Sequence, residues 1–494
     1  MAIQSIKLKP GINREGTRYT TEGGYYDGDK IRFRQGTPEK IGGWTQISTS
    51  TFEGVCRSLH NWVTLGGQNL IGVGTHLKFY ISNVGNYNDV TPIRATVSLS
   101  NPFTTVSGSA VVTVTDANGG YQDGDYVTFS NASAVGGLTI DGEFVVSLSV
   151  TTAANSYNIT ASSNATSSAT GGGTVSAAYQ INVGNPFAVP IEGWGASSWG
   201  SGAWNVGESS TTAIRFFSQS NFGEDLIFGN NGGSIFYWDA TGSVTTRAVL
   251  LSTLSGASDV PVVQNLILVS DISRFVFCFG TNEIGSDTID PTLLRWSDQE
   301  DATNWTPSAT NQAGSLRLSR GTKIVAASQA RQEVLVWTDS SLYSLQYVGA
   351  PAVWAATLVG ENISISSQNA VAYANGVAYW MGKDKFYMYD GRTQPLKCDV
   401  RKYIFNDFNT AQYSQVFSGT NESFHEVWWF YCSDGETNID KYVIYNYLDN
   451  IWYYGTLART AWLDSGLRDS PLAATYTLNL VDHESGVDDN QTTS

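Results

Sequence analysis

Charge is scarce in this sequence. Asp, Glu, Lys and Arg make up 15% of its 494 residues, against about 25% in an average soluble domain. Basic residues are scarcer still: Lys plus Arg number 28 and Asp plus Glu 44, a formal charge of −16. A surface with that balance repels nucleic acid and anionic lipid head groups at long range, so a basic nucleic-acid reader is excluded first. Long apolar runs are missing too. The longest, NLILV at 265–269 and FVFCF at 275–279, are strand-sized, far short of the ~20 residues of a membrane span. The opening residues lack the apolar centre of a secretory signal, and the chain is expected to be cytosolic when made, with reduced thiols.

Other shortages close off chemistry. The four cysteines, Cys56, Cys278, Cys398 and Cys432, have no metal or redox spacing and sit among apolar neighbours as small core side chains. The four histidines, His60, His76, His425 and His483, never pair at H-x-x-x-H or H-E-x-x-H spacing. G-x-S-x-G elbows and P-loops are absent. Asp27 and Asp29, like Asp123 and Asp125, flank a glycine before a β run and read as turns; a calcium loop needs further oxygens at fixed offsets. A glycosidase needs two carboxylates facing across a cleft, at a separation sequence cannot supply. The acids of SDQED at 297–301 read as a solvated loop. No catalytic residue, metal site or cofactor is expected, and the chain is not expected to be an enzyme.

In place of charge stand Ser, Thr, Asn, Gln and 50 glycines, with aromatics at 12%. Neutral polar groups mixed with rings suit extensive interfaces. Helical periodicity is confined to 400–412, where Tyr403, Ile404 and Phe408 share a side. Elsewhere short runs of Val, Ile, Tyr, Trp and Phe alternate with Asp-Gly, Asn-Gly and Gly-Gly turns, which reads as all-β. One unit recurs: an apolar strand, a tight polar turn, then an aromatic strand. Its first strands start near Leu70, Leu226, Val276, Val334, Val377, Val427 and Leu478, and from Leu226 onward the steps are 43 to 58 residues. A degenerate period of this size signals a β-propeller of six or seven blades, each stacked on its neighbours because none can bury both faces alone. The units near Leu70 and Leu478 are expected to close the ring together.

Residues 97–181 break the pattern, with no Trp, Lys or Arg and with alternating strands rich in Ser, Thr, Ala and Val. They read as a small β-sandwich or barrel inserted between blades. The chain thus divides into 1–95, an N-terminal segment and first blade; 96–182, the inserted domain; and 183–494, a Trp/Gly-rich arm, the remaining blades and a short polar tail. The arm, GWGASSWGSGAW at 193–204, carries Trp194, Trp199 and Trp204. These rings either fold back onto the core or dock on a neighbouring subunit.

Several stretches resemble tail structural proteins of tailed bacteriophages: GYYDGDKIRFR at 24–34 leading into GGW at 42–44, LRWSDQEDATNWTP at 294–307, VWTDSSLY at 336–343, WMG at 380–382 with YDG at 389–391, and EVWWFY at 426–431. In the insert, AVGGL at 134–138 and GGGTV at 171–175 resemble small modules of phage tail and fibre proteins. The best-fitting member is the tail nozzle, or hub, protein of short-tailed phages. That resemblance implies a virion-tail subunit, assembled in the host cytoplasm into a ring homo-oligomer, a homohexamer, below the portal and adaptor. It implies as partners the tail adaptor and tail fibre or needle proteins. Genome DNA would pass without specific binding and without membrane insertion of the protein. A propeller's own axis is filled by side chains, so the conduit would be the hole in a closed ring of whole subunits. The alternative is a tail propeller that binds or cleaves host-surface glycans.

Overall fold

β-branched and aromatic residues alternating between glycine turns leave few ways to bury apolar surface except as short antiparallel strands. In a computed structural model, which describes residues 8–20, 22–148, 155–189, 213–271 and 273–488, seven four-stranded antiparallel sheets follow one another around a ring. Their first strands are Cys56–Val63, Phe217–Phe222, Gln264–Val269, Ile324–Gln329, Val371–Ala374, Phe417–Asn421 and Ala461–Leu463, and each neighbours the next until the last returns to the first. The fold is an all-β propeller of seven blades, numbered here from the Cys56–Val63 sheet, with the first strands innermost.

The recurring apolar strands are the second strands of the blades: Asn69–Thr75, Asp225–Asn230, Val276–Asn282, Val334–Thr338, Val377–Met381 and Glu426–Tyr431. The true first strands are weaker in sequence, as in IVAASQ, VAYA and FSGTN. Several carry an aromatic residue, such as Trp62, Phe217, Phe417 and Trp462, but few are apolar throughout, so most are less conspicuous than the second strands. Leu478 sits in a turn at φ 62, just before the third strand of blade seven, Leu480–His483.

Ring closure differs from expectation. The Leu70 unit already has four strands of its own. The three C-terminal strands of blade seven instead take their fourth from Trp44–Gln46, with Trp44 opposite His483 and Gln46 opposite Val481. The single helix expected over 400–412 is also divided, into Arg401–Asn406 and a 3₁₀ turn at Thr410–Gln415. Between them the Asn409 side chain accepts from Ala411 N, and Asn409 N donates to Cys432 O. Local capping and pairing to blade six outcompete helix continuation.

Ring stacking fills the seams between blades. Phe79 of blade one lies parallel to Phe228 of blade two with centroids 3.9 Å apart, and Trp428 stacks on Trp462 at 5.2 Å between blades six and seven. At that second seam Gly419 admits the Trp462 ring: a Cβ there would stand 2.1 Å from it.

Antiparallel alternation gives the propeller two distinct faces. Turns from first to second and third to fourth strands lie on one, the turn face. Blade-to-blade connections lie on the other, the crossing face. Between blades one and two, on the crossing face, the chain leaves the ring for two sheets. One runs in the order Ile93–Ser100, Thr174–Gln180, Tyr126–Ser130, Gly142–Val145, the other Ser156–Thr160, Val111–Thr115, Phe103–Thr105, Ala169–Gly171. They enclose their own core, centred on Phe103, Val127, Phe129, Tyr157 and Tyr179. At the N-terminus, Lys9–Ile12 pairs in parallel with Gly24–Tyr25, the hairpin Ile31–Arg34/Thr37–Lys40 follows, and both pack on Ile451–Thr456, the outer strand of blade six.

Candidate functional site

The residues that chemistry would draw on lie apart. His60 reaches Asn221 Oδ1 at 3.1 Å. His76 Nδ1 accepts from Val55 N at 2.8 Å. His425 caps a turn at φ 58 beside Tyr447. His483 is buried between Trp44 and Trp462, and its Nε2 accepts from Arg459 Nε at 2.9 Å. Burial pushes the His76 pKa down to about 4, with Arg57 adding to the shift; it holds His483 well below the ordinary range, with Arg459 and Arg32 adding. All four cysteines are buried and unbridged. No group of three or more His, Cys, Asp or Glu is arranged for a metal ion among the described residues.

The aspartate pairs tie backbone together. Asp27 accepts from Tyr454 OH at 2.7 Å, and Asp29 from Thr456 N at 2.7 Å, so both fix the N-terminal segment to blade six. Asp123 accepts from Leu148 N, and buried Asp125 from Gln122 N and Val183 N. In the 297–301 loop, Asp298 and Asp301 accept from nearby backbone amides. Trp194, Trp199 and Trp204 lie outside the described residues.

Two charged clusters bolt appended parts to the ring. Arg32, from the N-terminal hairpin, presents Nε and Nη2 to Glu426 at 3.0 Å each, and Nη1 and Nη2 to Glu484 at 2.8 and 2.6 Å. Its guanidinium lies 3.5 Å from the Phe424 ring centre. Glu426, fully buried, also accepts from Trp428 Nε1 at 2.9 Å and from Tyr453 OH. Burial opposes the arginine's charge, yet the two carboxylates outweigh it and raise its pKa above the usual arginine value. Burial pushes Glu426 upward against the pull of Arg32, but four donated hydrogen bonds are arranged for a carboxylate, and the ionised pair is the state this geometry fits.

The second bolt joins blade one, the inserted sandwich and blade two. Lys78 Nζ lies 3.0 Å from Glu53 and 2.5 Å from Glu143 of the sandwich. Arg247 of blade two reaches Asp89 of blade one at 3.1 Å, and Gln180 donates to Glu143 at 2.5 Å. The sandwich is thereby held at one angle to the ring.

The axial hole ends on the crossing face under a strap. Residues 185–189 leave the blade-two side, where Asn185 bridges to Ile214. They pass Arg57 of blade one, whose Nη2 donates to Pro186 O at 2.8 Å. They then reach Gln412, which bonds both Ala188 N at 3.1 Å and Ala188 O at 2.7 Å. Beside Arg57 lies a cavity of about 250 Å³, walled by the inner strands of blades one, four, five, six and seven through Arg57, Ser328, Gln368, Asn369, Phe417 and Trp462, among others. Arg57 is 3% exposed. Its Nη2 also donates to Gln415 Oε1 at 2.6 Å, while Nε and Nη1 have no hydrogen-bond partner. Sequence reading did not single out Arg57, Gln412 or Gln415; only the 412–415 turn and the strap, distant in the chain, give them their setting.

No protein-family model and no curated protein matches the sequence. Solved structures similar to it include Hsv2p of Kluyveromyces lactis, at 12% identity and TM-score 0.32, with 56% of this chain and 78% of that one covered. An apocarotenoid oxygenase of Synechocystis is similar at 7% identity and TM-score 0.31, covering 78% and 88%. The endosialidase of phage phi92 is similar at 11% identity and TM-score 0.20, covering 93% and 67%. Superpositions this loose carry no argument about function.

Proposed function

We propose that this chain is a non-catalytic structural subunit of a bacteriophage tail, the ring-forming nozzle below the adaptor. The observation that carries the reading is mechanical. A seven-blade body has a second β-body and an N-terminal clasp fastened to it by largely buried ion pairs, so three parts move as one, as a load-bearing ring component requires. The motifs that resemble tail proteins supply the context: GYYDGDKIRFR at 24–34 contributes Arg32 to the buried bolt, and EVWWFY at 426–431 contributes Glu426. The strapped axial hole, with its 250 Å³ cavity, has no room for a duplex, so the genome would run through the centre of a subunit ring. The acidic balance of the chain would keep phosphates from sticking there. Purified protein mixed with the tail adaptor and imaged by electron microscopy should give closed rings; a protein that stays monomeric with every tail partner overturns this reading.

A second reading is a tail propeller that binds or cleaves host glycans. It is favoured by the channel-mouth cavity, where Trp462 and Phe417 stand among amide and hydroxyl side chains, a mixture suited to sugars. A glycan array with a polysaccharide-depolymerisation assay tests it. Binding or cleavage supports it, and silence in both removes it.

A further inference from the structure

An arginine guanidinium has five N–H donors and a charge that persists at any ordinary pH. Burying one without a counter-charge is costly, and buried arginines therefore pair with carboxylates. Arg32 does so twice and Arg295 once, with Asp259 at 2.7 Å. Arg57, like Arg215 and Arg459, has no such partner: its Nη2 is engaged by two neutral oxygens, Nε and Nη1 have no hydrogen-bond partner, and the only side-chain oxygen acting on it beyond these is the neutral Tyr476 hydroxyl. The titratable groups around it supply no anion. Tyr476 and Cys432 are held in their neutral forms by burial, Cys432 at a pKa of about 12, and His76 is neutral or cationic. The pocket beside Arg215 also carries Asp123, whereas the cavity beside Arg57 is lined by neutral polar and apolar side chains alone.

We infer that the channel-mouth cavity binds a small organic carboxylate of monosaccharide size, a sugar acid, with its carboxylate against Arg57 and its hydroxyls among the amide and hydroxyl side chains of the cavity wall. A volume of about 250 Å³ has room for a single sugar unit. Gln368, Asn369, Ser328 and Ser418 on the same wall offer hydrogen bonds to hydroxyls without contributing charge. The inference rests on the glycan-binding reading and narrows it to acidic sugars.

Calorimetric titration of the full chain with glucuronate, glucose and inorganic phosphate tests it. Glucuronate is expected to bind at least tenfold more tightly than either of the others. Arg57→Gln should abolish that preference. Ser328→Phe, which fills the cavity and leaves Arg57 in place, should abolish binding; circular dichroism establishes that each variant is folded. If Arg57→Gln fails to fold, the Ser328→Phe result and the glucuronate-dependent rise in the wild-type melting temperature decide the matter. Equal binding of glucose and glucuronate overturns the carboxylate assignment while the glycan reading survives. Equal binding of phosphate marks a general anion site and also overturns it. No binding of either sugar overturns both.

Discussion

Arg32 occupies a motif that sequence alone associates with a family, yet its work is electrostatic and local. Its side-on fork to Glu426 and end-on fork to Glu484 engage all three of its nitrogens. Arg32→Met would strand a fully buried carboxylate, and the expected loss in unfolding free energy is about 3–5 kcal/mol, read from urea denaturation. Arg32→Lys should rescue little, because a point-like ammonium cannot hold two carboxylates in planar forks. His483 gives a pH signature. Its pKa in the fold lies below that of the unfolded chain, so its contribution to stability is intact above about pH 6.5 and is lost as pH falls below that value. The slope is at most about 1.4 kcal/mol per pH unit for one proton. Melting curves from pH 7 to pH 5 should show the decline, and His483→Gln, whose carbonyl can still accept from Arg459, should make it shallower, with His76 and His60, also depressed by burial, carrying the rest.

At the scale of strands and turns, the seams between blades set the tolerance to change. Gly419→Ala would drive a methyl group into the Trp462 ring, and overpacking of this kind costs about 1–3 kcal/mol. Gly66→Ala, with only a threonine hydroxyl at 3.7 Å and no positive φ, should be neutral in the same thermal melt. This contrast also accounts for what could be read in advance. Second strands such as VLVWT and EVWWFY face neighbouring blades on both sides and are almost wholly apolar, so they stand out. Inner strands such as VAYA have no such demand and pass for loops. The strap at 185–189 and the orphaned Arg57 could not be read at all: their meaning comes from Gln412 and Gln415, more than 220 residues away. Arg32 and Glu426 were visible inside quoted motifs, but a pair 394 positions apart leaves no local pattern.

For the whole molecule, the ring is closed by one short ladder, Trp44–Gln46 against Leu480–His483, reinforced by Arg32 on Glu484. Removal of residues 1–46 takes away the fourth strand of blade seven and the Arg32 bolt together. The truncated chain should unfold at lower temperature, and limited proteolysis should cut first within 461–483. A chain that keeps its wild-type melting profile after this truncation would show that blade seven holds with three strands.

That ladder has a temporal consequence. Translation delivers its two halves far apart in time, so the clasp at 44–46 waits, exposed as a lone strand, until 480–483 has been made. A product that stops short of Leu480 leaves the clasp nothing to fasten to and keeps raw strand edges open to proteases. One three-residue strand thereby makes closure of the ring wait on the synthesis of 480–483.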